Sequence, residues 1–413
     1  MTLTLSKTTP AKQMTRPDRV LIAAIFALLL AVQTVPVHAQ LPDFSDEPQG
    51  RVLNENEMLL AGVEANRLDV VVYLLNKGLD PNATARNGYT ALMVAAGRGH
   101  EGIIDFLLSR GADVNKTSDS GWTALMEAAR RDQDRTIEKL VKAGAKVDAV
   151  EKANGQTPLI IAAKSERLES VTALIKAGAD LALADASKGL TALHHALAST
   201  KGSSAEIAAE LLVRGADPER AAKDGYTPLM SAIDSGQVAK LSLVLSESVE
   251  VNAETKDGRT ALTIASGLGL DAAVKRLLKA GAQVDIENDA YTALTQAARV
   301  GSDETVLALL EAGANPNRAA RDSRKPLMLA ARGGFDEVVK ALVEKGAKVN
   351  GRNKTDGSTA LMWAANNGFR SIVEYLVEQG ADASITAKDG WTAGEAARMA
   401  GHTEIADKLE QRI

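Results

Sequence analysis

Gly88-Tyr89-Thr90-Ala91-Leu92 is the stretch that decides the fold, because close copies of it recur along the chain. The copies are Gly121-Trp122-Thr123-Ala124-Leu125, Gly155-Gln156-Thr157-Pro158-Leu159, Gly225-Tyr226-Thr227-Pro228-Leu229 and Gly357-Ser358-Thr359-Ala360-Leu361. The position of Thr90 recurs at residues 123, 157, 191, 227, 260, 292, 325, 359 and 392, at intervals of 32 to 36 residues. A period of this length indicates a repeat architecture, in which each unit packs on its neighbours.

The pattern within one period predicts a hairpin of two short helices. Thr90 is a good N-cap residue, and Gly99 is expected to end the first helix. The apolar residues between 103 and 108 form one stripe of a second helix, which Gly111 stops. One such hairpin cannot bury its apolar face alone, so stacking of neighbours must supply the core.

This pattern resembles the ankyrin repeat, which combines Asp-Gly-x-Thr-Pro-Leu-His-x-Ala-Ala with a later Gly-Ala-Asp-x-Asn. Asp224-Gly225-Tyr226-Thr227-Pro228-Leu229 and Gly111-Ala112-Asp113-Val114-Asn115 match these two phrases. The resemblance covers about residues 54–413 and implies an all-α ankyrin-repeat solenoid of helix-turn-helix units with β-turn tips. It further implies about ten full repeats, preceded by an irregular N-terminal unit. Lys325, in place of threonine, and an insertion over 199–204 depart from the pattern.

The composition excludes several classes of site. Cysteine is absent from the 413 residues, which excludes a disulfide framework, a thiolate metal site and a cysteine nucleophile. Only five histidines are available for metal or acid–base chemistry. A net charge of −5 gives no overall basic surface, so we expect no nucleic-acid partner.

The first 39 residues predict a signal peptide. Basic residues at 7, 12, 16 and 19 precede thirteen uncharged residues over 20–32, and Val37-His38-Ala39 before Gln40 is similar to a cleavage signal. As a helix, the apolar run would span about 20 Å, short of the roughly 30 Å bilayer core. We expect cleavage between Ala39 and Gln40, a flexible linker over 40–53 and the array over 54–413. The alternative is an uncleaved inner-membrane anchor.

Two motifs suggest chemistry, and each has a simpler structural interpretation. Gly97-Arg98-Gly99-His100-Glu101-Gly102 matches the dinucleotide-binding fingerprint, but it would join two helices and not follow a strand. His194 and His195 are adjacent on a helix, so their side chains point in different directions. We therefore expect a protein that is not an enzyme, without catalytic, cofactor-binding or metal-binding residues.

A row of aromatic residues at the hairpin tips is the first candidate for partner binding. Each precedes the N-cap position: Tyr89, Trp122, Tyr226, Tyr291 and Trp391. In the ankyrin-like arrangement these tips line the concave side of the array. Large rings there either anchor a partner or pack on neighbouring turns, and the sequence leaves both interpretations open.

A basic edge at the ends of the first helices is the second candidate. It comprises Arg98, Arg130, Arg131, Lys164, Arg299 and Arg332. Against the single acidic Asp234, this edge carries about +5 and favours an acidic partner surface. A solvated charged face would give the same pattern.

We therefore predict a scaffold that binds a partner protein on the concave face of the array, in the periplasm. The partner would be a protein with an acidic surface or a periplasmic enzyme. We expect a monomer without stable membrane insertion once the signal is removed. The absence of cysteine fits an oxidising compartment. The alternative is a secreted effector or a toxin-immunity inhibitor that uses the same binding face.

Export of the chain predicts a defined mature N-terminus. Mass spectrometry of the exported protein should identify Gln40, or the pyroglutamate formed from it, as the first residue. Removal of four basic residues and one acidic residue would leave 44 basic and 52 acidic residues, a net charge of −8. Retention of residues 1–39 would contradict cleavage and identify the anchored form.

Overall fold

The computed structural model describes residues 54–286 and 292–411, which fold into paired α-helices. In these residues, twenty-two helices form eleven hairpins; we name the first helix of each hairpin inner and the second outer. The chain divides into two compact units, whose described parts are 54–196 with 201–216, and 197–200 with 217–411. The predicted all-α repeat architecture is confirmed, and the irregular N-terminal segment forms a hairpin of its own.

The first unit contains five hairpins. Their inner helices are α1 (Glu55–Glu64), α3 (Ala91–Arg98), α5 (Ala124–Arg130), α7 (Pro158–Lys164) and α9 (Ala192–Ala198), whose last two residues belong to the second unit. Their outer helices are α2 (Leu68–Asn76), α4 (Glu101–Ser109), α6 (Asp134–Lys142), α8 (Leu168–Lys176) and α10 (Ser204–Val213). The inner helices α1, α3, α5 and α7 pack in series, and each packs on its own outer helix.

The second unit contains six hairpins. Their inner helices are α11 (Pro228–Asp234), α13 (Ala261–Gly267), α15 (Ala293–Val300), α17 (Pro326–Gly333), α19 (Ala360–Asn366) and α21 (Ala393–Met399). Their outer helices are α12 (Val238–Leu245), α14 (Asp271–Lys279), α16 (Asp303–Glu311), α18 (Asp336–Glu344), α20 (Arg370–Glu378) and α22 (Thr403–Glu410). These inner helices also pack in series.

Threonine fixes where most inner helices begin. A threonine hydroxyl accepts a hydrogen bond from the backbone N–H three residues later at Thr90, Thr123, Thr157, Thr227, Thr260, Thr292, Thr359 and Thr392. Each such cap contributes about 1 kcal/mol to helix stability. Lys325 makes no cap, and Pro326, with its fixed φ, occupies the first turn of α17.

Small and aliphatic side chains form the core between hairpins. Ala95, Ala96, Ala128 and Ala129 are fully buried on α3 and α5, so neighbouring inner helices approach closely. Five methionines share the third position after the cap and are all buried: Met93, Met126, Met230, Met328 and Met362. They fill the core, and this packing explains why few aromatic residues are needed.

Asparagine side chains connect the loops that follow successive outer helices. Asn115 donates from Nδ2 to the carbonyl of Gly144 at 2.9 Å, and its Oδ1 accepts from the N–H of Lys146 at 2.8 Å. The same pair of bonds is made by Asn82, Asn252, Asn317 and Asn350. Each of these asparagines gives the next hairpin both a donor and an acceptor.

Backbone hydrogen bonds also tie neighbouring hairpin tips within each unit. In the first unit, the N–H of Asp119 donates to the carbonyl of Asn87 at 3.0 Å. In the second, the N–H of Lys388 donates to the carbonyl of Asp356 at 2.8 Å. The aromatic residues before the N-caps are therefore carried on tips that are held in register.

The insertion over 199–204 lengthens the loop between α9 and α10. Lys240 on α12 is fully buried, and its Nζ donates to the carbonyls of Leu197 at 3.4 Å and Ser199 at 2.5 Å. A cation is favourable at this position because the end of a helix carries a partial negative charge.

Several sequence predictions fall outside the described residues. They concern the signal peptide (1–39), the linker (40–53) and Tyr291. Within 54–286 and 292–411, no helix has the length and apolarity that crossing a membrane requires.

Gly334 shows why glycine ends some inner helices. Its φ of 77° lies in the left-handed region, which favours glycine. A methyl group on Gly334 would also lie 2.6 Å from the ring of Phe369 in the next hairpin. Gly301 and Phe335 have the same relation. These glycines allow both the backbone turn and the close approach of an aromatic ring.

Gly334→Ala should therefore destabilise the fold more than Gly346→Ala. Gly346 has a φ of 89°, but a methyl group on it would have no neighbour within 4 Å, so its substitution adds only backbone strain of about 1–2 kcal/mol. Gly334→Ala adds the clash with Phe369, a further cost of about 1–3 kcal/mol. Urea unfolding followed by circular dichroism measures both, and equal midpoints would contradict the close packing.

Candidate functional site

The predicted basic residues lie where the inner helices end. Arg130, Lys164, Arg299 and Arg332 stand seven positions after the cap, and Arg98 and Arg131 stand eight positions after it. The tip aromatics lie at the other end of the same helices. Because α5 has seven residues, its two ends are about 10 Å apart, so one partner segment can contact both.

Glu127 is the centre of a cluster in the first unit that sequence reasoning missed. It lies on α5 and is only 2% exposed. The Tyr89 hydroxyl donates to its Oε1 at 2.8 Å, and Arg130 Nη2 donates to its Oε2 at 2.7 Å. Arg131 Nε lies 4.0 Å from the same Oε2. We name Tyr89, Glu127, Arg130 and Arg131 the Glu127 cluster.

The Tyr89 hydroxyl is a permanent donor in this cluster. Burial raises the pKa of Tyr89 far above its ordinary value, and the charge and hydrogen bond of Glu127 raise it further. The phenol therefore stays protonated at neutral pH. Its half-buried ring reaches from its own hairpin tip to the next inner helix and fixes the buried carboxylate.

Trp122 places an aromatic face beside the same cluster. The guanidinium carbon of Arg130 lies 5.7 Å from the centroid of the Trp122 ring, within cation–π distance. Arg130 therefore contacts Glu127 and Trp122 at once. Its position is fixed by the array itself before any partner binds.

Arg98 forms an ion pair with Glu64 of the preceding hairpin, through Nη2 and Oε1. Burial lowers the pKa of Arg98, and the positive charge of Arg131 lowers it further. Two carboxylates, on Glu64 and Glu127, thus offset part of the basic edge of the first unit. The sequence estimate of the edge charge did not include them.

The two basic-edge residues of the second unit, Arg299 and Arg332, contact neutral groups. The Arg332 guanidinium carbon lies 4.9 Å from the centroid of the Trp363 ring, whose Nε1 donates to Ser358 Oγ at 3.1 Å. Arg299 Nη2 donates to Gln296 Oε1 at 3.0 Å. Arg299, Arg332 and, in the first unit, Lys164 are exposed.

The tip aromatics differ in how far they reach into solvent. Tyr226 is half-buried, and burial raises its pKa, followed by its hydrogen bond with Asp234. Trp391 is 38% exposed. For Tyr89 and Tyr226, packing against the array is the interpretation that the contacts favour. A role of the tip aromatics in partner binding stays a prediction.

Glu127 and Trp363 occupy the fourth position after the cap, where the residue type varies among the hairpins. The residues there are Val94, Glu127, Ile161, His195, Ser231, Ile264, Gln296, Leu329, Trp363 and Ala396. Glu127 is the one acidic side chain of this set. Aligning the repeats at this variable position would have identified both residues, although not their partners.

The glycine-rich phrase and the adjacent histidines have structural contacts within the repeats. Gly97 lies in α3 and Gly102 in α4, so the glycine-rich phrase joins two helices, as predicted. His194 Nδ1 accepts from the backbone N–H of Thr191 at 3.2 Å, and His195 Nε2 lies 3.2 Å from Asp185 Oδ2. In the described part of the chain, no group of three or more His, Asp or Glu side chains could hold a metal ion.

Comparison with protein families identifies the class of the chain. The family model described as ankyrin repeats (3 copies) matches it in overlapping segments that run from residue 58 to residue 411. The chain belongs to the ankyrin-repeat family. Repeats of this family generally bind protein partners.

Curated relatives share only a few repeats with the chain. It is 38% identical over 96 residues to "Ankyrin repeat and KH domain-containing protein mask-1" of Caenorhabditis elegans, across 22% of this chain and 4% of the relative. It is 37% identical over 79 residues to "B-cell lymphoma 3 protein homolog" of Mus musculus, across 19% of this chain and 18% of the relative. The matches thus span less than a fifth of either relative's length.

Tyr89 and Glu127 should be energetically coupled. Tyr89→Phe leaves a buried carboxylate oxygen without its donor and should lower the free energy of unfolding by about 1–3 kcal/mol. In a Glu127→Gln background the same change should cost about 1 kcal/mol less, because a hydrogen bond to a neutral amide is weaker. Denaturant unfolding of the four proteins gives the coupling energy, and additive effects would contradict the bond.

Proposed function

We propose that this chain is a non-enzymatic scaffold that binds a partner protein with the hairpin tips and inner-helix ends of its first unit. The Glu127 cluster is the observation that carries the proposal. It combines a tyrosine, two arginines and an adjacent tryptophan, and these are the residue types that dominate the energy of protein interfaces.

Fixed side-chain positions favour this surface over the other basic positions. Arg130 is held by Glu127 and Trp122, so a partner that contacts it does not have to order a flexible arginine. Association costs less free energy when interface side chains are already ordered. Lys164, Arg299 and Arg332 are exposed. Arg299 and Arg332 contact the neutral side chains of Gln296 and Trp363, which hold them less strongly than a carboxylate would.

The partner is proposed to carry an acidic surface, or to be a periplasmic enzyme whose surface meets that condition. The basic edge supports the first part, because complementary charge accelerates encounter and selects the partner. Export to the periplasm is supported by the basic start, the apolar run and the cleavage signal of residues 1–39. We propose that the mature chain works there as a monomer of an exported bacterial ankyrin type.

A secreted effector, or a toxin-immunity inhibitor, is the second candidate function and would use the same face. The signal sequence supports it equally, since export through the inner membrane is its first step too. Cell fractionation separates the two, because a major extracellular pool favours secretion and a periplasmic pool favours residence.

The binding face is tested by comparing two variants in the capture of one partner. A chain that carries a photo-crosslinking residue in place of Lys164, which is exposed in the next hairpin, identifies the partner in cells. A variant with Tyr89→Phe, Trp122→Ala, Arg130→Gln and Arg131→Gln should lose at least about tenfold in affinity for that purified partner, because interface anchors are removed. Glutamine at 130 can still donate to Glu127 and so limits destabilisation.

The matched control changes equivalent positions in the second unit. Tyr226→Phe, Trp391→Ala, Arg299→Gln and Arg332→Gln remove the same chemical groups and should leave partner affinity within about twofold. Circular dichroism of both variants reports whether they fold. Equal binding by the first variant and the wild-type chain would refute the assignment of the binding face.

A further inference from the structure

A glycine opens space between α3 and α5 at the Glu127 cluster. A methyl group on Gly97 would lie 3.2 Å from Glu127 Oε2 and 3.7 Å from Arg131 Cδ. The carboxylate of Glu127 and the aliphatic part of the Arg131 side chain therefore lie against the end of α3. The last residue of α3 is Arg98. Charged groups from two hairpins meet at this point.

Positive groups outnumber negative groups around this opening. The guanidinium groups belong to Arg98, Arg130, Arg131 and Arg167, and the carboxylates to Glu64 and Glu127. Arg167 joins the group because its Nε donates to the backbone carbonyl of Arg130 at 3.1 Å. Burial lowers the pKa of Arg131, and the charges of Arg130 and Arg167 add to this effect. The arginines therefore repel one another, and a bound anion would relieve that repulsion.

Two arginines of the group keep unused donors. Arg131 Nη2 and Arg98 Nε are buried without a hydrogen-bond partner. A buried donor without an acceptor destabilises the fold, and an acceptor from a ligand would remove that cost. The side chains are 17% exposed for Arg131 and 26% exposed for Arg98, so part of each side chain is open to solvent. The two nitrogen atoms themselves are buried, so a ligand must shift the side chains to reach them.

We propose that Arg98 and Arg131 bind a carboxylate of an acidic peptide segment on the partner protein. The inference rests on the proposed function and names the recognition chemistry of the same face. Arg130 is a positioning residue that holds Glu127 in place, because its guanidinium already contacts Glu127 and Trp122 and is not free for the ligand.

A carboxylate fits this place better than a phosphate. The ligands that the arginines already hold, Glu64 and Glu127, are carboxylates. In addition, the arginines stand at the C-terminal ends of α3 and α5, where the helix dipole is negative. That partial charge disfavours a dianion more than a singly charged group.

Hexaglutamate is the probe that tests the proposal on the full chain, with hexaglutamine as the uncharged comparison. Titration calorimetry at low ionic strength should detect hexaglutamate only, and Arg131→Gln should weaken its binding about tenfold, the effect of losing a charged hydrogen bond. Arg98→Gln should act in the same direction. Arg131→Lys keeps the charge but loses the fork geometry of the guanidinium, so its affinity for hexaglutamate should lie between those of the wild-type chain and Arg131→Gln.

Arg299→Gln is the matched control, since it removes an exposed guanidinium from the end of another inner helix. It should leave hexaglutamate affinity within about twofold. No loss in Arg131→Gln, or an equal loss in Arg299→Gln, would overturn the proposal, because binding would then follow overall charge. Displacement of hexaglutamate by inorganic phosphate at equal concentration would also overturn the assignment to a carboxylate.

The outcome is separable from that of the proposed function. A wild-type chain that captures its partner but not hexaglutamate would refute carboxylate recognition and leave the scaffold role intact. If Arg131→Gln loses hexaglutamate while the four-residue variant keeps the partner, the anion site stands and the binding-face assignment fails.

Discussion

Two short helices cannot bury an apolar face by themselves, and the need of each hairpin for a neighbour determines most of this structure. The paired alanines of α3 and α5 meet that need by letting helices approach closely. Asparagine bridges and tip-to-tip backbone bonds hold successive hairpins in register. The packing of successive hairpins therefore sets the positions of side chains on the inner helices.

The sequence predicts the fold well because its repeated residues have local physical roles. Threonine at the cap position begins most inner helices and glycine ends some of them, so the first helix of the Thr90 repeat was predicted to within a residue of its observed bounds, Ala91–Arg98. Lys325 was rightly identified as an exception. The local rules say nothing of the unrepeated lysine at 240, whose burial depends on a loop that only this part of the array has.

The candidate site was predicted only in part, for a related reason. Six basic residues and five aromatic residues were found because they recur at one or two repeat positions. Glu127 and Trp363 occur once each at a position where the residue type varies among the hairpins. Their importance comes from partners on neighbouring elements, such as Tyr89 for Glu127, and pairing between hairpins is not visible in a repeat pattern. The variable positions of a repeat are where its individual chemistry lies.

The asparagine bridges also bear on how such a chain changes in length during evolution. Asn115 offers a donor and an acceptor to the loop of the next hairpin, and other hairpins carry an equivalent asparagine. An in-frame duplication of about 33 residues would arrive with its bonding partners already encoded. The chain can thus gain or lose whole hairpins without needing new kinds of contact between neighbours. A composite site such as that of Glu64, Arg98 and Glu127 has no such freedom, because one inserted hairpin within it would separate its members.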